Sequence, residues 1–354
     1  MFALKFKNVC IESYAFLEPP ICVTSAEIED RLAPVYDRLK VPFGTLEKLS
    51  GIKTRYSFTD QDRPSTAATR VATEAIEKAG IKREDIGVIF NCSVTRDYFE
   101  PATGVLVHNN LGMDETVMAL DITNACVGFS NGILMLSQMI EAGVVKAGLL
   151  VSAEHLLPIM ESTFKEILGM GDDLDRETFL KLIPTFTLGS GAVAMVLAHS
   201  SIATRGHRVL GSVARSASQF KDYCVGNGDF CYNQGANLDP LMNTDSQKLI
   251  AAAGQLGNRA WSDARELLGW SNDTFDHLFC HQIGRQLNER IYGMMGLTNL
   301  KEKIIYEKYG NLVSAAMPSN VVCHAQAGTI KSGDKCLLAG FGSGLNAIFT
   351  GVQW

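Results

Sequence analysis

Short apolar runs alternate with segments of helical spacing along this 354-residue chain. In the first part they fall at residues 88–92, 117–122, 147–152 and 192–198. A strand that is apolar at every position is buried on both faces, which happens when helices cover both sides of a sheet. The pattern therefore predicts a layered α/β architecture. A helix rich in small residues is expected over 126–142. The rhythm then repeats, with a strand over 209–216, a long helix over 245–268 and a short strand over 278–280. Helices over 282–295 and 314–327 and strands over 335–340 and 347–352 complete it. A boundary near residues 200–208 would divide the chain into two comparable halves, 1–200 and 201–354.

Composition narrows the function classes. Apolar residues make up 46% and charged residues 20%, the balance of an ordinary globular chain. The net charge of -6 gives no basic footprint for nucleic acid. The nine cysteines are an odd number, scattered, with no Cys-x-x-Cys pair and no Cys/His cluster at zinc spacing. Neither a disulfide framework nor a zinc site is expected, and a reducing compartment is. The N-terminal stretch reads as a strand rather than a signal peptide, and no run reaches the length of a membrane span. The expected location is the cytoplasm.

Four segments carry residues suited to chemistry. In Asp121-Ile-Thr-Asn-Ala-Cys126-Val-Gly-Phe a strand ends, the chain bends and a cysteine opens the small-residue helix. A thiol there sits near the positive end of the helix dipole, which favours the thiolate, and unpaired N–H groups of the first turn can bond an oxyanion. Taken alone, any one cysteine is more often a buried structural thiol. In Leu278-Phe-Cys-His281-Gln-Ile-Gly-Arg285 a histidine ends an apolar strand. Neutral imidazole can move a proton or donate a hydrogen bond, although a lone histidine is more often a satisfied core residue. In Lys308-Tyr-Gly-Asn311-Leu-Val-Ser, Asn311 lies in a glycine turn and its amide could donate to a carbonyl; Gly-Asn is also a plain turn signal. The last segment, Gly340-Phe-Gly-Ser-Gly344, is too near the C-terminus to open a dinucleotide-binding unit and reads as a turn whose backbone can approach a ligand.

In this order the four segments resemble the β-ketoacyl-acyl-carrier-protein synthase III family of the thiolase superfamily. The resemblance runs over almost the whole chain and includes the Gly51-Ile-Lys-Thr-Arg55 turn and the helix that begins near Ser65. It implies a thiolase-like αβαβα five-layer fold built from two pseudo-duplicated halves, and a homodimer. It places the catalytic cysteine, histidine and asparagine on Cys126, His281 and Asn311, with the backbone N–H groups of Cys126 and Ser343 as the oxyanion hole. Substrates would be thioesters of coenzyme A or acyl carrier protein, with no tightly bound cofactor, no nucleic acid and no membrane span. The implied reaction is a Claisen condensation through an acyl-Cys intermediate, in fatty-acid or related lipid synthesis.

Further stretches are similar to the branch of that family that condenses two fatty acyl-coenzyme A molecules head to head. These are Ser93-Val-Thr-Arg-Asp-Tyr-Phe-Glu100-Pro101, Thr187-Leu-Gly-Ser-Gly191, Val213-Ala-Arg-Ser-Ala217 and Gly-Ser-Gly-Leu-Asn346. In that branch the matching glutamate reaches across the dimer and is implicated as a base, which puts that role on Glu100; otherwise Glu100 reads as a solvated loop carboxylate. Two departures from the initiation enzymes of the family stand out. The stretch Gly44-Thr-Leu-Glu-Lys-Leu-Ser50 has neither the tryptophan nor the arginine that clasp coenzyme A, and the arginine after His-Gln is shifted by one, to Arg285. Malonyl thioester and a second acyl-coenzyme A both stay open as the acceptor. A cysteine thioester hydrolase and a non-catalytic partner subunit are remoter readings. The Met-, Leu- and Ile-containing segments 133–140 and 160–170 could line an acyl tunnel, with core packing as the default.

Overall fold

The computed structural model describes residues 2–226, 240–297 and 301–354. Its strands are β1 (Phe2–Lys5), β2 (Val9–Leu17), β3 (Ile21–Thr24), β4 (Thr54–Ser57), β5 (Ile86–Asn91), β6 (Met118–Asp121) and β7 (Ala147–Glu154). They continue with β8 (Gly191–His199), β9 (His207–Ser216), β10 (Cys224–Gly226), β11 (Met242–Thr244), β12 (His277–Cys280), β13 (Lys335–Gly342) and β14 (Asn346–Gln353). Two ribbons, β3 with β4 and β10 with β11, stand apart from one 10-stranded sheet.

That sheet follows the same path twice. From β2 it runs to β8, β7 and β5 through antiparallel, antiparallel and parallel pairs. From β9 it runs to β14, β13 and β12 through the same sequence of pairings. The two paths meet where β2 touches β9 through Cys10 with Arg208 and Ile11 with His207. β6 extends the first path in parallel beyond β5, and β1 pairs with β9 in the second.

Alternating side chains sort the strands into layers. In the first path Val88, Phe90, Leu150, Val193 and Met195 face a central core, while Ile89, Leu149, Val151, Ala194 and Val196 face an outer one. In the second path Phe279, Cys336 and Leu338 share the central core, while Leu278, Cys280, Leu337 and Ala339 face the opposite side. The helix Pro64–Lys78 covers one outer face, and Ser246–Leu268 with Arg285–Met295 covers the other. Between the two paths lie the helices Gly128–Glu141 and Ala316–Gln326. The first of these buries Phe129, Ile133, Leu136 and Ile140 along one stripe. The order of layers is α, β, α, β, α, as expected from the resemblance.

The expected elements form, with shifted ends. The helix expected from 126 begins at Gly128, because Ala125 takes φ 45° and the residues from Asn124 to Val127 are spent on the bend. The strand expected over 335–340 runs on to Gly342, which shortens the C-terminal turn. The segments 133–140 and 160–170 pack into the core: Met160, Phe164 and Ile167 lie against Phe179, Leu182 and Phe186.

The bend depends on a close backbone approach. A Cβ on Gly128 would lie 2.4 Å from the Cys92 carbonyl oxygen and 3.0 Å from that of Ile122. Gly128→Ala is therefore expected to cost on the order of 1–3 kcal/mol, as overpacking does. Urea denaturation of the two proteins checks it; equal midpoints would contradict so tight a contact.

Candidate active site

Both central helices begin beside segments singled out above. Gly128–Glu141 follows Cys126, and Ala316–Gln326 follows Asn311. Cys126 is partly exposed and packs against a small apolar cluster of Leu156, Leu188 and Val313, with Ile159 and Met242 on the same cluster. Leu188 forms a bridge to Asn311, and Val313 lies two residues beyond it. The cysteine bend and the asparagine turn are thus neighbours although far apart in sequence.

The cysteine bend is held from three sides. The Asp121 carboxylate, at the end of β6, accepts from Thr103 N at 3.0 Å, Gly104 N at 2.7 Å and Asn91 Nδ2 at 3.1 Å. Asn124 Nδ2 donates to Asn131 Oδ1 at 2.9 Å, and its Oδ1 accepts from Asn346 Nδ2 at 3.0 Å. Asn346 Nδ2 also donates to the Ser343 carbonyl at 3.2 Å, and Asn346 Oδ1 accepts from Ser216 Oγ at 2.7 Å. Gly342 lies so close that a Cβ there would be 3.1 Å from Val127 N. The C-terminal turn that holds Ser343 therefore lies against the cysteine bend.

Burial, above all, pushes the Cys126 thiol up; nearby Cys224 and Glu154 add to this, and its own backbone N–H opposes it. That reverses the expectation of a lowered value. The helix starts two residues downstream, and the apolar cluster from distant segments removes water from the sulfur. The resting group is a neutral thiol, and its proton must leave as the sulfur attacks.

His281 ends β12 and is 4% exposed. Its N–H donates to the Ala339 carbonyl at 2.9 Å, which continues the pairing of β12 with β13. Its Nδ1 is buried with no hydrogen-bond partner among the described residues, and burial pushes the imidazole down to about 4. The ring is neutral near pH 7. Gln282 fixes the neighbouring chain: its Oε1 accepts from Ile305 N at 2.7 Å and Tyr306 N at 2.9 Å, and its Nε2 donates to the Lys303 carbonyl at 2.9 Å. The segment so held leads directly to Asn311.

Asn311 is 8% exposed. Its backbone N–H donates to the Thr187 carbonyl at 2.8 Å, and its carbonyl accepts from Gly189 N at 3.0 Å. A Cβ on Gly189 would lie 2.0 Å from the Tyr309 carbonyl oxygen, so only glycine permits this bridge. Asn311 Oδ1 accepts from Val313 N at 2.9 Å. With its oxygen occupied, the amide has its NH2 to offer, the donor needed for a thioester carbonyl.

Glu100 stands elsewhere. It is exposed, at the end of the loop that follows β5, while His281 and Asn311 are buried and Cys126 is partly exposed. Two features of the site were not read from sequence. One is Glu154, fully buried at the end of β7, whose carboxylate bonds both the loop of Glu100 and the turn of Asn311. The other is a cavity of about 370 Å³ lined by Gly44, Glu47, Lys48, Gly51, Lys53 and Arg285. Gly284, three residues past His281, packs on Ser50 at the edge of that cavity. Among the described residues no group of His, Cys, Asp and Glu is arranged to hold a metal ion.

Comparison with known proteins shows the family and the fold. Residues 120–218 match the family model described as 3-oxoacyl-[acyl-carrier-protein (ACP)] synthase III, and residues 266–354 match that of its C-terminal part. The chain is 34% identical to an acyl-CoA:acyl-CoA alkyltransferase of Xanthomonas campestris pv. campestris, over 99% of both chains. It is 31% identical to one of Shewanella oneidensis, over 99% of this chain and 100% of the other. Identity to a β-ketoacyl-[acyl-carrier-protein] synthase III of Clostridium tetani is 25%, over 99% of this chain and 100% of the other. The crystal structure of cerulenin-bound Xanthomonas campestris OleA superposes with a TM-score of 0.92 at 34% identity, covering 99% of this chain and 98% of that one. A cysteine-to-serine variant of the same protein with bound lauric acid and lauroyl-CoA gives 0.91.

The depressed His281 value has a sign that can be checked. Unfolded imidazole titrates near 6.5 and the folded ring near 4, so the folded chain binds fewer protons between those values. Any stability His281 contributes above pH 6.5 is lost as the pH falls toward 4. Nuclear magnetic resonance of the ring is expected to show the neutral form throughout about pH 5 to 8. A titration midpoint near 6.5 would contradict the desolvated setting.

Proposed function

Because the chain belongs to the 3-oxoacyl-[acyl-carrier-protein] synthase III family and is an acyltransferase that joins acyl thioesters by Claisen condensation, we propose that it condenses two acyl-coenzyme A molecules head to head, without decarboxylation. Cys126 carries the first acyl chain, and Glu100 of a second subunit takes the α-proton from the other. Residues 1–200 form the half that supplies Cys126, and residues 201–354 the half that supplies His281 and Asn311.

The observation that carries this reading is the setting of Glu100. Its loop presents Tyr98 at 59% and Phe99 at 64% exposure, an unusual outlay of aromatic surface. The same loop leads through Thr103 and Gly104 to the Asp121 carboxylate on β6. β6 ends the sheet, and its Met118 is 44% exposed. An open strand edge beside exposed aromatics suits a second copy of the chain. Closing that face would carry Glu100 out of solvent and toward the partner's site.

The substrate follows from the rest of the site. Leu156, Ile159, Leu188, Met242 and Val313 around Cys126 suit an alkyl chain. Lys48, Lys53 and Arg285 at the cavity suit the phosphates of coenzyme A, in place of the missing tryptophan and arginine. A cytoplasmic location goes with coenzyme A thioesters; no helix among the described residues is long and apolar enough to cross a membrane.

The reaction divides into two halves. In the first, Cys126 Sγ attacks the thioester carbonyl, and the N–H groups of Cys126 and Ser343 hold the oxyanion. The carbonyl reforms, the carbon–sulfur bond to coenzyme A breaks, and coenzyme A leaves as a thiol with the proton from Cys126. In the second, the Asn311 amide and the neutral His281 ring donate to the carbonyl of the second thioester. Glu100 removes its α-proton, and the enolate carbon attacks the acyl-Cys126 carbonyl. The Cys126 carbon–sulfur bond breaks, giving a 2-alkyl-3-oxoacyl thioester. No cofactor is required by these steps. A malonyl thioester would instead form the unsubstituted acetyl thioester enolate by losing carbon dioxide and would make Glu100 dispensable.

Mass spectrometry of intact protein after mixing with a long-chain acyl-coenzyme A is expected to show one acyl group, absent in Cys126→Ala. Acylation of that variant at another cysteine would sink the assignment. Glu100→Gln is expected to acylate normally and to lose condensation by about a hundredfold or more, the scale of a positioned base. Full condensation by this variant, or product from malonyl thioester alone, would favour the decarboxylative route.

A further inference from the structure

Among the described residues Glu154 is the one fully buried carboxylate at the site to which the steps above give no task. It ends β7 and has no exposed surface. One of its oxygens, Oε1, accepts from Val94 N at 2.9 Å and from Ser314 Oγ at 2.5 Å. The other, Oε2, accepts from Thr95 N at 3.1 Å and Thr95 Oγ1 at 3.0 Å. Ser314 Oγ is further paired with Ser152 Oγ at 2.7 Å.

The two sides of this bridge belong to different parts of the chemistry. Val94 and Thr95 open the loop that ends in Glu100. Ser314 follows Val313, whose N–H fixes the Asn311 amide. A buried carboxylate is costly unless its lone pairs are filled. Here burial pushes Glu154 up, while Ser314 and the N–H groups of Val94 and Thr95 oppose that rise. A neutral core residue would carry no such cost and would span the same space, so the bridge itself calls for an explanation.

We propose that Glu154 is a positioning residue for the second half-reaction, setting the loop of Glu100 against the turn of Asn311. This rests on the reading of Glu100 as the base. The enolate forms only when the proton acceptor and the carbonyl donor address the same thioester at once. Both are anchored through one carboxylate, so a displacement at Glu154 changes their separation. Acylation of Cys126 uses neither anchor: its backbone donors belong to the cysteine bend and the C-terminal turn.

Glu154→Gln tests this with little change of size. Val94 N–H and Thr95 N–H address different oxygens, so the amide nitrogen faces one of these donors in either orientation. The displaced loop is expected to lower condensation at least about tenfold, the scale of a sub-ångström to 1 Å misplacement, while the single-turnover rate of Cys126 acylation does not fall, because losing the Glu154 charge removes one of the influences that raise the Cys126 thiol. Ser314→Ala, which keeps the carboxylate and cuts only the link to the Asn311 turn, is expected to show the same split to a smaller degree. It also decides the matter if Glu154→Gln does not fold. Equal losses in both half-reactions, or no loss in either, would overturn the proposal. Glu100→Gln run alongside separates the two ideas: full condensation there defeats the base reading, whereas a missing split in the Glu154 and Ser314 variants defeats only this one.

Discussion

The site depends on three backbones meeting at the cysteine bend. Gly128 rests on the Cys92 carbonyl at the end of β5, and Gly342 on β13 rests on Val127 N. These contacts join a strand of the first path, the first turn of a central helix and a strand of the second path. At Gly128 the contact is with backbone carbonyls, and at Gly342 with Val127 N and the stiff, branched Val127 side chain, so the positions are set by close packing. His281 inherits its place because β12 runs beside β13, and Asn311 because Gly189 admits the Tyr309 carbonyl. The duplicated sheet thus delivers residues from distant parts of the chain to one end of the central layer.

Much of this was legible in the sequence, for physical reasons. Strands buried on both faces, such as β7 and β8, leave unbroken apolar runs, so the layers could be read directly. Cys126, His281 and Asn311 stood at strand ends and turns, and the family resemblance gave their order meaning. The bend hid two residues of the helix start, since an alanine at positive φ leaves no compositional mark. The rise of the Cys126 thiol was hidden as well. Its causes, Leu156, Leu188 and Val313, come from three separate segments. Glu154 was invisible because one acidic residue closing an apolar strand reads as solvent-facing. Glu100 had only the resemblance to single it out, and within one chain it remains exposed.

The electrostatics favour a neutral cysteine and a neutral histidine at rest. Burial keeps both the Cys126 thiol and the His281 ring in their neutral forms. A neutral imidazole can donate to a carbonyl without first losing a proton, and a neutral thiol does not repel an incoming thioester oxygen. In the proposed reaction new charge develops on the oxyanion beside two N–H groups, and on the enolate oxygen beside Asn311 and His281. A carboxylate base that arrives from outside this apolar cluster adds no second resident carboxylate near the sulfur beside Glu154. That arrangement accounts for why Glu100 sits on an exposed loop rather than in the pocket of its own chain.

The central claim is that the base comes from the partner subunit, and mixed dimers test it most directly. Cys126→Ala and Glu100→Gln chains, each inactive in condensation alone, are co-expressed and purified together through two different tags. In the mixed dimer one site retains Cys126 and receives an intact Glu100 from the Cys126→Ala chain. The account predicts that this dimer condenses two acyl-coenzyme A molecules at about half the wild-type rate, from its one complete site. A mixed dimer as inactive as its parents would contradict it and place Glu100 in the service of its own chain.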